Sequence, residues 1–212
     1  MIDVDHQINA VRRTVGRRVL EAGEAHVVTI TKVYDTTAED LWDCCTSAER
    51  IPRWFLPVKG DLHVGGRYQL EGNAGGEVLT CEPPHRFTAT WEMGDAVSWI
   101  EVTVAGEGDR ARLTLEHLAL PDDHWGQFGP GAVGIGWELG LLGLHLHLAS
   151  GETVDPSSFE TWSMSSDGLR FVVESGTAWG VADEARGEDP EVARAAAERT
   201  IAAYTTPPEP PV

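Results

Sequence analysis

One segment limits the possible folds of this chain more than any other. Between Gly129 and Ser150 there is no lysine or arginine, and the apolar residues recur with a helical period. At 100° per residue, Gly136, Gly140, Gly143 and His147 fall on one stripe, and Trp137, Leu141, Leu144 and Leu148 on a second. Ile135, Leu139, Leu142 and Leu146 form a third, nearly opposite the second. A helix that is apolar on two opposed sides must be covered on both. Leu144-His145-Leu146-His147-Leu148 alternates like a strand, but the whole segment is too long for one. It is also long enough to cross a bilayer. Glu138, His145, His147, the repeated glycines and the lack of flanking basic anchors fit a buried helix better.

The residues before it supply a sheet for one side. Thr14 to Tyr34 reads as a hairpin about Glu21-Ala22-Gly23-Glu24, with His26, Val28, Ile30 and Lys32 alternating against Val27, Thr29, Thr31 and Val33. Thr36-Thr37-Ala38-Glu39 starts a short helix carrying Leu41-Trp42, and a second short helix begins at Ser47 and stops near Pro52. Strands are predicted at 67–71, 77–82, 86–91, 97–105 and 112–117, separated by glycine- or proline-bearing turns. Phe87, Ala89 and Trp91 share one face, as do Leu113, Leu115 and His117, while Trp99 faces away from Ile100, Val102 and Val104. Sequential strands followed by helices give an α+β fold, an antiparallel sheet of six to seven strands with one face covered.

The far side of the long helix needs a lid, and the C-terminal residues can form it. Ser166 to Arg186 is amphipathic with Leu169, Val172, Gly176 and Trp179 in register, and Asp189-Pro190 caps another helix presenting Ala193, Ala197, Ile201 and Tyr204. Residues 1–150 are thus expected as one domain with an N-terminal hairpin, 151–206 as a helical extension packed on it, and Pro207 to Val212 as a frayed tail.

The formal net charge is −18, and Lys32 and Lys59 are the only lysines. That balance argues against nucleic-acid binding and against docking on anionic membranes. Cys44 and Cys45 are neighbours and Cys81 stands alone, and no apolar h-region follows the N-terminus; a cytoplasmic protein with reduced thiols is expected. His145 and His147 point about 200° apart on a helix and cannot chelate, and no paired-cysteine, phosphate-loop or nucleophile-elbow motif occurs. No metal and no cofactor is expected.

The chain resembles the AHSA1-like (activator of Hsp90 ATPase homologue) branch of the START-like, Bet v 1-type (SRPBCC) superfamily. The resemblance rests on Tyr34-Asp35, Leu41-Trp42, Thr46, and Glu49-Arg50-Ile51-Pro52-Arg53-Trp54-Phe55. It continues through Gly65-Gly66, the Glu82-Pro83-Pro84 corner with Phe87 and Trp91, and the strand Arg112 to His117. The family implies a helix-grip fold, a curved sheet closing on the long helix over a hydrophobic cavity. Members bind lipids, hormones or polyketides, some cyclise polyketides, and the namesake stimulates a chaperone.

A binding module for a small hydrophobic or aromatic ligand, a regulator or carrier, is therefore the first reading. A chaperone-type interaction partner is the second, and a cavity enzyme such as a polyketide cyclase or dehydratase the third. The candidate ligand-binding residues are Trp42, Trp54, Phe55, Tyr68, Trp91, His117, Trp137, Glu138, Leu141 and His145. Flat rings with occasional polar edges suit an apolar ligand, and Trp54-Phe55 falls where the family's cavity entrance lies. His117, Glu138 and His145 are the polar groups available to orient it. Glu138 and His145 stand about 10 Å apart along a helix, the two ends of one small molecule. No catalytic residue is singled out, and the chain is expected as a monomer or homodimer.

Overall fold

A computed structural model describes residues 2–206, so the expected tail at 207–212 lies outside the described residues. The strands are β1 (Val11–Leu20), β2 (Gly23–Tyr34), β3 (Val58–Gly60), β4 (Arg67–Leu70), β5 (Gly75–Glu82), β6 (Arg86–Met93), β7 (Ala96–Glu107) and β8 (Arg110–Ala119). They form one antiparallel sheet in the order β1-β2-β8-β7-β6-β5-β4-β3. The run β3 to β8 is a meander, and β2 returns to pair with β8, placing Ile30 opposite Leu115. The sheet has one strand more than the sequence indicated: β3 is three residues long, too short for alternation to show. The first hairpin begins at Val11, before the expected Thr14. Ahead of it lies helix α1 (Val4–Asn9), whose Asp3 carboxylate accepts the His6 N–H at 3.0 Å.

Register separates the two faces. Val28, Ile30, Tyr34, Leu113, Leu115 and Val102 point inward and join the main core. On the outer face Arg18 donates to Glu116 (2.6 Å) and Glu101 (3.2 Å), and Arg86 donates to Glu101 (2.8 Å). Trp99 lies there too, packed with Leu20, Leu118 and Leu120, as strand parity required. A register shift between Val78 and Thr80 breaks that parity in β5. A bulge inserts one residue and re-aims those beyond it, so Val78 and Cys81 both reach the inner face.

The helices are α2 (Ala38–Thr46), α3 (Asp123–Phe128), α4 (Gly131–Ser150), α5 (Pro156–Ser163), α6 (Ser166–Ala185) and α7 (Pro190–Thr205), with a 3-10 turn at Ile51–Arg53. The Thr37 hydroxyl caps α2 by accepting the Asp40 N–H, 3.2 Å. Gly151, at φ 73°, ends α4 in a left-handed conformation that a side chain would strain. Capping residues indicated α2 and periodicity α4, α6 and α7, but neither pointed to α3 or α5, which are only six and eight residues long.

By length and composition α4 could cross a membrane, yet here half of it is buried within the fold. Leu141 and Leu144 join the core against the sheet, while Leu142 meets Val4 of α1 and Phe171 of α6 on the opposite side. Its glycines answer neighbours other than the sheet backbone. A Cβ at Gly143 would stand 2.4 Å from the Trp54 carbonyl oxygen, and one at Gly140 3.0 Å from the Phe55 ring. One at Gly136 would meet the Tyr204 hydroxyl at 3.1 Å, and one at Gly134 would fall inside the Trp179 indole, 2.3 Å away. The glycines thus admit the Trp54-Phe55 segment on one side of α4 and the C-terminal helices on another.

Candidate functional site

Eight strands at about 4.8 Å spacing make a sheet far wider than one helix of about 10 Å. α4 and α6 lie toward β1 and β2, and α2 over β7 and β8. The β4 to β6 half is left to the segment from Ile51 to Leu62, which covers it incompletely. Between them is a cavity of about 130 Å³. Its floor includes Tyr68, Val78, Ala89, Trp91, Ile100 and Leu115 from the sheet. Trp137 and Leu141 of α4 form one wall, and Trp54, Phe55, Val58 and Leu62 another. Cys45 and Thr46 close the α2 end. Among the described residues no wall side chain comes from beyond Leu141, so the C-terminal helices leave this space open.

The aromatic rings form a connected set. Trp54 stacks on Phe55 at 5.3 Å, Phe55 on Trp137 at 5.9 Å, and Trp137 meets Trp91 at 4.7 Å with a 53° tilt. Three polar edges of the wall are engaged within the protein. Trp54 Nε1 donates to the Cys44 carbonyl (2.9 Å), Trp137 Nε1 to His117 Nδ1 (3.0 Å) and Tyr68 Oη to the Thr90 carbonyl (2.6 Å). Thr46 Oγ1 donates to the Trp42 carbonyl (2.8 Å). Burial pushes the Tyr68 phenol and the Cys45 thiol well up, so both stay protonated and neutral at pH 7. The wall therefore presents ring faces, alkyl groups and thiols, a surface that gains by taking apolar area out of water.

Of the residues singled out in the sequence, Trp54, Phe55, Tyr68, Trp91, Trp137 and Leu141 meet at this cavity. The other four lie elsewhere. Trp42 sits behind the wall, edge-on to Phe87 at 6.1 Å. His117 is buried behind Trp137; accepting from that indole places its own proton on Nε2, and burial lowers its pKa to about 4.

Glu138 departs most from expectation. Its carboxylate accepts from Arg13 Nε (2.7 Å), Arg13 Nη2 (2.6 Å) and Trp179 Nε1 (2.7 Å). It is a buried charge held by a bidentate guanidinium on the side of α4 away from the cavity. His145 lies on that side also, 6.3 Å from the ring of His6, its pKa lowered by burial and then by Lys32 and His6. The proposed polar pair for the two ends of a ligand is thus not formed at the cavity.

Several wall residues carried no signal of their own. Phe87 and Ala89, on the Trp91 face of β6, and Leu113 and Leu115 on β8 follow from strand parity. Cys81 does not, because only the bulge turns it inward.

Residues 35–145 match the family model described as activator of Hsp90 ATPase homolog 1-like protein. The crystal structure of CalU16 from Micromonospora echinospora is 36% identical, with 82% of this chain and 98% of that one covered and a TM-score of 0.67. The solution structure of CalU16 gives 34% identity, 84% and 97% coverage and a TM-score of 0.71. MLL2253 from Mesorhizobium loti, 21% identical over 58% of this chain and 96% of that one, shares the fold with a TM-score of 0.53. No curated protein matches.

Proposed function

The chain belongs to the activator of Hsp90 ATPase homolog 1-like family, and on that premise we propose that it binds a small, uncharged hydrophobic or aromatic ligand between the sheet and α4, as a regulator or carrier. The observation that carries this reading is the cavity of about 130 Å³, lined by apolar side chains and rings, in which the polar edges of Trp54, Tyr68 and Trp137 are already bonded inside the protein. An apolar cavity of about 150 Å³ stays dry and admits benzene, so this space suits a guest of that order. An aromatic guest gains ring contacts with Phe55, Trp91 and Trp137 as well as the burial of its own surface. A charged guest would be stripped of water with no partner in the wall to compensate.

Acid–base catalysis in the cavity draws no support from Glu138, whose carboxylate is committed to Arg13 and Trp179. The chaperone-partner alternative rests on the family's description rather than on a surface of this chain. Native mass spectrometry of the purified protein, followed by calorimetric titration with benzene, indene and naphthalene, tests the binding reading. A co-purifying apolar ligand, or saturable one-to-one binding that Trp137→Ala weakens, is the expected result. Absence of saturable binding by all three would end the proposal.

A further inference from the structure

The Phe55 ring has two neighbours of opposite kind. One side faces the cavity. Another lies on α4, where a Cβ at Gly140 would stand 3.0 Å from Phe55 Cε2 and 3.2 Å from Cδ2. Those distances are tighter than ordinary carbon contact, so any side chain at 140 must push the ring. Its other directions are occupied by Trp54 at 5.3 Å and Trp137 at 5.9 Å. The backbone cannot retreat freely, because the Trp54 carbonyl is seated against Gly143 and the Trp54 indole is tied to Cys44. What gives way is the cavity.

We propose that Gly140 sets the size limit of this binding site, by letting Phe55 lie against α4 instead of in the cavity, and that the site therefore admits uncharged aromatics of one ring and at most two fused rings. The proposal rests on reading the cavity as a binding site and adds what determines its capacity. Gly136 supplies an internal control on the same stripe. A Cβ there meets only the end of the Tyr204 side chain, at 3.1 Å, and Gly136 is no part of the cavity wall.

The test compares benzene, indene and naphthalene binding by calorimetry in the wild type, Gly140→Ala, Gly140→Val, Gly136→Ala and Phe55→Leu. The readout is the ratio of naphthalene to benzene affinity, which a general change in stability does not move. Overpacking predicts that the ratio falls about tenfold in Gly140→Ala and further in Gly140→Val. It should stay within about twofold of wild type in Gly136→Ala and rise in Phe55→Leu, where the ring is removed. An unmoved ratio in folded Gly140 variants, or an equal fall in Gly136→Ala, overturns the assignment while leaving the binding site standing. Failure of the wild type to bind any probe overturns the binding reading itself. Should the Gly140 variants not fold, Phe55→Leu decides, and no widening of the accepted range there overturns the proposal.

Discussion

Lys32 should be a net cost to the folded protein at neutral pH, and its removal should show this. It points inward from β2, is only 3% exposed, and donates to Gln7 Oε1 of α1 at 2.7 Å. Glu138, the carboxylate whose charge acts on it, is already held by Arg13 and Trp179. Burial lowers the lysine pKa from 10.5 to about 8, with Glu138 opposing the fall and Arg13 adding to it. The unfolded chain therefore binds more protons between about pH 8 and 10.5, and stability rises with pH across that window. Below about pH 8 the whole penalty is present, about 3 kcal/mol at 1.36 kcal/mol per pKa unit. Lys32→Met keeps the length and removes the charge, but leaves the Gln7 oxygen without its donor, which costs about 1–3 kcal/mol. Lys32→Met combined with Gln7→Leu removes both liabilities and should stabilise by about 2–3 kcal/mol at pH 7. Urea unfolding at pH 7 and pH 10 measures it. The wild type should gain about 2–3 kcal/mol relative to Lys32→Met between those two pH values. Parallel pH profiles for the two proteins would refute the argument, whatever their absolute stabilities.

Two further outcomes follow from α4. Glu138→Ala should destabilise by about 3–5 kcal/mol in urea unfolding, since it strands the buried Arg13 guanidinium and the Trp179 N–H. The variant should still bind aromatic probes under conditions where it remains folded, because Glu138 does not touch the cavity. Gly143→Ala should lower thermal stability by about 1–3 kcal/mol despite its better helix propensity, because the Cβ strikes the Trp54 carbonyl, a backbone atom. An unchanged or raised melting temperature would contradict that packing.

The elements legible in the sequence are those whose signal is periodic. Alternation placed Phe87, Ala89 and Trp91 on one face and turned Trp99 to the other, and the three stripes of α4 marked which sides needed cover. Short elements carry too few repeats to register, hence the absence of α1 and β3 from the reading. Glu138 failed for a different reason. A lone carboxylate on an apolar helix is either a site or one half of a buried pair, and both leave the same local pattern. The partner that decides between them, Arg13, is 125 residues away on the edge strand, where no local pattern links it to α4. A glycine stripe is ambiguous in the same way. Close approach and open space both require a missing side chain, and only the path of the Trp54-Phe55 segment shows which glycine serves which.

The two sides of α4 explain the chemistry that the site can support. On the far side the sequence buries two cations under α1 and α6: Arg13, paired with the Glu138 carboxylate, and Lys32, hydrogen-bonded only to the neutral Gln7 amide. The first of these, with the Trp179 indole, ties β1 and α6 to α4 and occupies the buried Glu138 carboxylate, while the second ties β2 to α1. On the cavity side the same helix presents Trp137 and Leu141, and the indole nitrogen is turned away to His117. His117 stays neutral at pH 7, with a pKa near 4, so no positive charge arises behind the ring. Polar groups that would bind and orient a charged substrate are thus spent on holding the helix in place. What remains on the open side is apolar area, and area alone discriminates by size and shape rather than by charge. That is why capacity, set where Phe55 meets Gly140, is the property through which this site would select its ligand.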